Sequence, residues 1–287
     1  TAVLNGEAGR NPLLLVIDAY LRVRGLDSGV SPVREMALDE AKHWARALMT
    51  PNADFAIPEM SAMRRAVTLV TLAQGVRASD ADAVAQAASA KLIENGVDAR
   101  KAARVEVAVA SALDKLYRDD DVLRPVSPDL VGEAVCWTSL AEAPDLLAIV
   151  LDEFLGSAGA AFTVANRALA GGSGSAEDDV KARQAITRAL DFALGENGRL
   201  SEHTRAWASA LYSFDGGMGS VIESIIKRMD ADALQGVLRE LPLFPSSTLN
   251  GIRVAAGRAV FDYVEKRQSE ATGPNAGHAR LAQSAAE

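Results

Sequence analysis

Between its prolines and glycines this chain repeats one pattern: apolar residues three and four positions apart, with alanine and leucine filling much of the rest. That spacing lays an apolar stripe along one face of a helix, and a strand, whose side chains alternate with period two, cannot use it. In Pro12–Val23 the stripe is Leu14, Val16, Ile17, Tyr20, Leu21 and Val23, leaving Asp18 and Arg22 on the wet side. Gly25 ends it. Ser31-Pro32 opens the next helix with a capping hydroxyl and a first-turn proline. Met36, Leu38, Trp44 and Leu48 carry that helix to a stop at Thr50-Pro51.

The same period continues over 59–75, 79–95 and 99–117, and Ser79 with Asp82 reads as a capping pair for the second of these. The "VLRPV" that follows an acidic turn at 118–121 reads as a short strand or an extended loop. Three helices and a short extended piece suggest a winged-helix-like module. Beyond Ser127 the periodicity predicts helices at 128–141, 144–156, 158–170, 177–195, 201–213, 219–229, 230–240 and 246–268. Their links are short, which makes successive helices antiparallel neighbours in a bundle or superhelix. The exception is "AGGSGSAEDD" at 170–179, a flexible linker closing on a cap at Ser175. No clean 34-residue self-similarity marks a regular repeat array. The polar end, "EATGPNAGHARLAQSAAE", reads as a frayed tail.

Charge and cysteine usage narrow the function. A net charge of -8 argues against broad contact with phosphate backbones or anionic lipid. In the third helix Lys101, Arg104 and Lys115 are balanced by Asp98, Glu106 and Asp114, so no basic reading helix stands out and the module is expected to face protein. Cys136 is the one cysteine, which rules out an internal disulfide or a thiolate cluster and suits a reducing compartment. The apolar run at 13–17 is too short to span a bilayer, and no signal-peptide pattern precedes it. A cytoplasmic protein is the expectation. The chain begins without Met and enters an apolar helix almost at once, as a segment of something longer would.

Candidate chemistry is sparse. Glu40 and His43 have the i, i+3 spacing of half a di-iron site, yet neither His203 nor His278 has a glutamate three residues before it. The pair reads as a polar face beside Trp44. "DGGMGS" at 215–220 precedes a helix but lacks the lysine of a phosphate loop, so it reads as a turn. Cys136 lies within the apolar "EAVCWTSL", where a thiol behaves as a small inert hydrophobe. Asp119, Asp120 and Asp121 read as a solvated turn. No catalytic constellation is expected in this chain.

The most specific stretch is "LRPVSPDLVGEAVCW" at 123–137. Ser127 can cap a helix, Pro128 suits its first position, and Asp129 faces the positive end of the dipole. With "GRNPLLLVIDAYL", "ALDEAKHWARAL" and "AVTLVTLAQGV", this stretch resembles the middle of a STAND-type ATPase, the signal-transducing class of apoptotic ATPases, plant resistance proteins, NACHT receptors and many bacterial regulators with tetratricopeptide arrays. "LRELPLFPSSTLNGIRVAAGRAVFDYV" is similar to the passage into those repeats.

The resemblance implies a helical lid at 1–54, a winged-helix-like domain at 55–137, a helical linker at 138–270 and a flexible tail at 271–287, in a mainly α fold that closes as an irregular bundle or superhelix. In that family the proline of the first motif packs on the adenine of bound ADP. Pro12 matches it, followed by Leu13, although Gly9 lies three residues before it where the family has two. Ser127-Pro128-Asp129-Leu130 occupies the place of a Met-His-Asp-Leu type motif, with Pro128 where a phosphate-touching histidine would stand. Pro128 and Asp129 would then fix the helix start at a hinge, Gly132 would allow close packing there, and Glu133 would pair with a neighbour. ADP or ATP would be held mainly by an upstream core bearing the Walker motifs. The partners implied are that core, a downstream repeat array, a protein ligand and further copies of the chain. The rival reading is a stand-alone helical scaffold binding a protein or peptide.

Overall fold

Proline sets the first turn of three successive helices: α1 (Pro12–Val23), α2 (Pro32–Ala47) and α3 (Pro58–Leu72). Its fixed φ suits that position, where its missing N–H has no intrahelical acceptor to lose. The computed structural model describes residues 12–23, 32–50, 57–127, 129–154, 157–170, 176–214, 217–243 and 246–272. Over these the fold is mainly α, as the periodicity predicts, with one very small sheet. Ser31, Pro51, residues 171–175 of the "AGGSGSAEDD" linker and the polar tail beyond Thr272 lie outside the described residues, whereas 176–179, expected as linker, and 270–272, expected as tail, are helical.

α3 is the hub. Every residue from Ala62 to Leu72 is buried, and the helix packs against α2, α4 (Ala81–Glu94), α5 (Ala99–Tyr117), α6 (Asp129–Glu142), α7 (Asp145–Glu153) and α8 (Ala158–Ala170). A helix buried all round should be apolar, yet this one carries Arg64 and Arg65. Both are paired, as buried charges must be. Arg64 bonds Ser139 Oγ at 3.3 Å and the Thr138 carbonyl at 3.1 Å, and it reaches Glu142 at 2.6 Å. Arg65 donates to the Ala88 carbonyl at 3.2 Å and to Asp145 at 3.0 Å. Glu142 ends α6 and Asp145 begins α7, so adjacent arginines clamp both sides of a 111° bend at Pro144. Proline cannot continue α6, which explains the break. No single described helix is long and apolar enough to cross a membrane.

The sheet has strands β1 (Val76–Arg77), β2 (Arg118–Asp119) and β3 (Val122–Leu123), in the order β1-β3-β2 and antiparallel throughout. Val76 faces Leu123, and Arg118 faces Leu123 from the other side. "VLRPV" therefore begins as a strand. The aspartate turn is the hairpin loop, with Asp120 at φ 51. Gly75 (φ +103) delivers α3 into β1, and a Cβ there would stand 3.2 Å from the Leu123 carbonyl.

Two sequence expectations fail. Ser79 and Asp82 do not form a capping pair: Ser79 sits in a 3-10 turn, Ala78–Asp80, its hydroxyl bonds Asp80, and α4 starts at Ala81 without a side-chain cap. The helix expected over 177–195 is α-helical only in α9 (Ala176–Leu190) and widens into a π turn at Asp191–Glu196. There Gly195 lies so close to Asp191 that a Cβ would approach its Oδ1 to 2.8 Å. A real side-chain cap occurs instead at Asp98, which accepts from the N–H groups of Arg100 and Lys101 at 3.0 and 3.2 Å to start α5.

The last helices are α10 (Thr204–Ser213), α11 (Met218–Ile226), α12 (Ala231–Glu240) and α13 (Ser247–Thr272). Asn166 of α8, 1% exposed, joins the end of α10 to the start of α11. Its amide donates to the carbonyls of Ala210 (3.3 Å) and Phe214, and its oxygen accepts from the Met218 N–H at 3.4 Å. Buried apolar side chains from Ile17 to Ala256 form one continuous cluster. α13 leaves it: Leu249, Ile252 and Ala256 are buried, whereas 261–267 are all exposed.

Candidate functional site

The "SPDLVGE" stretch enters α6 at the crossing of three elements. Val126, in extended chain, gives its N–H to Thr71 Oγ1 of α3 at 3.4 Å, while Thr71 bonds the Val67 carbonyl at 2.7 Å. Gly132, one turn into α6, lies against both: a Cβ there would stand 2.9 Å from Thr71 Cγ2 and 2.9 Å from the Val126 carbonyl. The close packing expected of Gly132 is present, and it brings the α6 backbone onto α3.

A cavity of about 250 Å³ opens beside this contact, lined by Thr71, Gln74, Pro125, Val126, Asp129, Glu133, Val164 and Arg167. Asp129 is the first residue of α6, where the helix dipole favours a carboxylate. It pairs with Arg167 of α8 at 3.1 Å, both largely exposed, a contact worth at most about 1 kcal/mol. Glu133, one turn on, is half-buried. The pairing expected of it is absent: it makes no hydrogen bond or ion pair among the described residues. Burial pushes its carboxyl from 4.5 up to about 7; Arg167 pulls the value down and Asp129 pushes it up. Arg167 is held by Asp129 and serves Glu133 only at a distance. The cavity thus holds one carboxyl that changes charge near neutrality beside a fixed ion pair.

The other expected site residues lie apart. Pro12 and Leu13 begin α1, which packs on α2 through Ile17 and Leu21 and lends no lining residue to this cavity among the described residues. Pro128 lies outside the described residues, as do Asp215 and Gly216 of the glycine turn. Gly217, at φ 101, caps the start of α11. Cys136 is fully buried and its thiol is pushed up by desolvation, then by the charge of Glu133.

Glu40 and His43 belong to a hydrogen-bonded chain that sequence reading half-anticipated. Trp44 Nε1 donates to Tyr117 Oη at 2.6 Å, Tyr117 donates to Glu40 Oε1, and Glu40 Oε2 faces His43 Nδ1 at 3.3 Å. Burial and then the Glu40 charge hold the Tyr117 phenol well above its ordinary range. The chain ties α2 to the end of α5. Among the described residues no group of three or more His, Cys, Asp or Glu is disposed to hold a metal ion. Sequence reading missed Arg167 and Thr71, which no local motif marks. It also passed over Arg64-Arg65, whose signal was visible: two cations inside the apolar "AMRRAVTLV". Comparison of the chain with protein-family models, curated proteins and solved structures finds no match.

Proposed function

We propose that this chain is the regulatory, non-catalytic portion of a STAND-like ATPase, coupling nucleotide state to a C-terminal sensor array through helix packing. The observation that carries the reading is element order. The succession α3, β1, α4, α5 and the β2–β3 hairpin, with β3 returning to pair with β1, supports reading this segment as winged-helix-like. Two helices precede it, as a lid would, and "SPDLVGE" follows it directly. In this reading Pro12 and Leu13 pack on the adenine of ADP or ATP held by an upstream core, and Asp129 with Pro128 sets the hinge on the nucleotide side. The Thr71–Gly132 contact seats the α6 backbone directly on α3, so in this reading a rotation of α6 is felt at α3.

Calorimetry with ADP and ATP tests it, comparing this chain with a form extended upstream through a Gly-x-x-x-x-Gly-Lys-Ser/Thr loop. Binding is expected only in the extended form, and weaker after Pro12→Gly. Absence of binding by both forms, with the helical spectrum intact, rejects the ATPase reading and leaves the protein-binding scaffold.

A further inference from the structure

A second cavity, of about 310 Å³, lies between α2, α6 and α9 and is lined by Arg34, Ala37, Leu38, Trp44, Arg64, Val135, Trp137, Thr138 and Lys181. Its size falls at the lower end of the range for small-molecule sites. In a chain where 38 acidic residues outnumber 30 lysines and arginines, the lining holds three cations and, among the described residues, no carboxylate. Two of the three tryptophans of the chain border it, Trp137 half-buried and Trp44 beneath the surface.

Trp137 also carries an indole N–H that stands apart from those of the other two tryptophans. Buried indole N–H groups are normally bonded. Trp44 gives its N–H to Tyr117 and Trp207 gives its own to the Leu200 carbonyl at 3.1 Å. Trp137 Nε1 is buried with no acceptor among the described residues. A cleft bordered by Leu38, Ala37 and Trp137 and by three cations suits a flat ring system that carries an anionic group.

We propose that this cleft binds a small aromatic acid of one or two fused rings. The ring lies against Leu38, Ala37 and Trp137, the accessible apolar side chains of the lining, and the carboxylate meets Arg34 and Lys181. Lys181 pairs with Glu177 in an exposed contact at 2.5 Å, and the same carboxylate feels the charge of Arg34, so the ligand's carboxylate displaces Glu177 from both at little loss. Arg64 stays with Glu142 and adds its field. Because the cleft is shared by α2, α6 and α9, an occupied site ties α2 to the helix that follows "SPDLVGE". The proposal does not depend on the nucleotide reading.

The probe is 2-naphthoate, with neutral 2-naphthamide as its isostere, followed by tryptophan fluorescence and calorimetry on the full chain. Saturable one-to-one binding of naphthoate below about 1 mM is expected, with the amide about tenfold weaker. The surface double variant Arg34→Gln/Lys181→Gln should weaken naphthoate about tenfold and leave the amide unchanged. Ala37→Phe, which fills the cleft, should abolish binding of both at an unchanged circular dichroism spectrum. Lack of saturation by about 5 mM naphthoate, a thousand times weaker than a typical micromolar ligand, overturns the proposal. Equal affinity for acid and amide, or undiminished binding after Ala37→Phe in folded protein, overturns it as well.

Discussion

Replacing Glu133 by glutamine should stabilise this protein at pH 8 and do far less at pH 5. The carboxyl ordinarily titrates at 4.5 and in the folded chain at about 7, so the folded state holds its proton more tightly than the unfolded state does. Above both values the native protein carries a half-buried carboxylate that the unfolded chain solvates freely. Each tenfold difference in proton affinity is worth about 1.4 kcal/mol, which makes ionising Glu133 in place unfavourable by roughly 3 kcal/mol at pH 8. At pH 5 the native group is protonated and only the unfolded chain is partly ionised, which leaves under about 1 kcal/mol. Stability attributable to this residue therefore falls as pH rises from 4.5 to 7 and is level above that window.

Glutamine mimics the protonated form at every pH. Urea unfolding of both proteins at pH 5, 6, 7 and 8 should show Glu133→Gln gaining about 2 kcal/mol on the parent across that range, after allowance for the solvent that reaches a half-buried group. Arg167→Gln, which removes the nearby positive charge, should steepen the fall in the parent background. An advantage that stays constant with pH, or grows toward acid, would refute the assignment of an unpartnered, proton-holding Glu133.

Three further outcomes follow from the packing. Gly132→Ala should destabilise by about 1–3 kcal/mol and Gly132→Val by more, since the added carbon meets a backbone carbonyl at 2.9 Å that cannot turn aside; denaturant midpoints read this directly. Asn166→Leu keeps the volume but removes the Asn166 bonds to the Phe214 carbonyl and the Met218 N–H, while the Ala210 carbonyl keeps the Phe214 N–H at 3.2 Å, and should lose about 2–4 kcal/mol; unchanged thermal melting would contradict that clip. Cys136 should resist an aromatic disulfide reagent in native buffer and react fully in about 6 M guanidinium, because the thiol is buried and disfavoured as thiolate.

Helices were readable in this sequence wherever the apolar period held: the segments expected to start at 59 and 99 begin at Pro58 and Ala99, although Pro58 and the Asp98 cap that set those starts went unremarked. The strands were much harder, since two residues are too few to show alternation, and β1 in "GVRAS" exists only because β3 comes to it from beyond two helices. Ser79 had the right spacing for a cap, but Asp80 took its hydroxyl, a local competition that a motif cannot weigh. At the junction cavity, Asp129, Gly132 and Glu133 were visible as one motif. Their partners Thr71 and Arg167 come from α3 and α8, and only the tertiary fold reveals that Arg167 meets Asp129 and not Glu133.

The outward half of α13 has a mechanical consequence. Helix rise is about 1.5 Å per residue, so the stretch beyond Val260, the last side chain packed on the core, carries the end of α13 roughly 18 Å onward. A rotation of about ten degrees at that point, of the order a one- to two-ångström helix shift brings, would swing the tip through about 3 Å. α13 is therefore an arm anchored in the core at one end, and its exposed Phe261, Tyr263 and Val264 stand on the first free turn, beside the anchor.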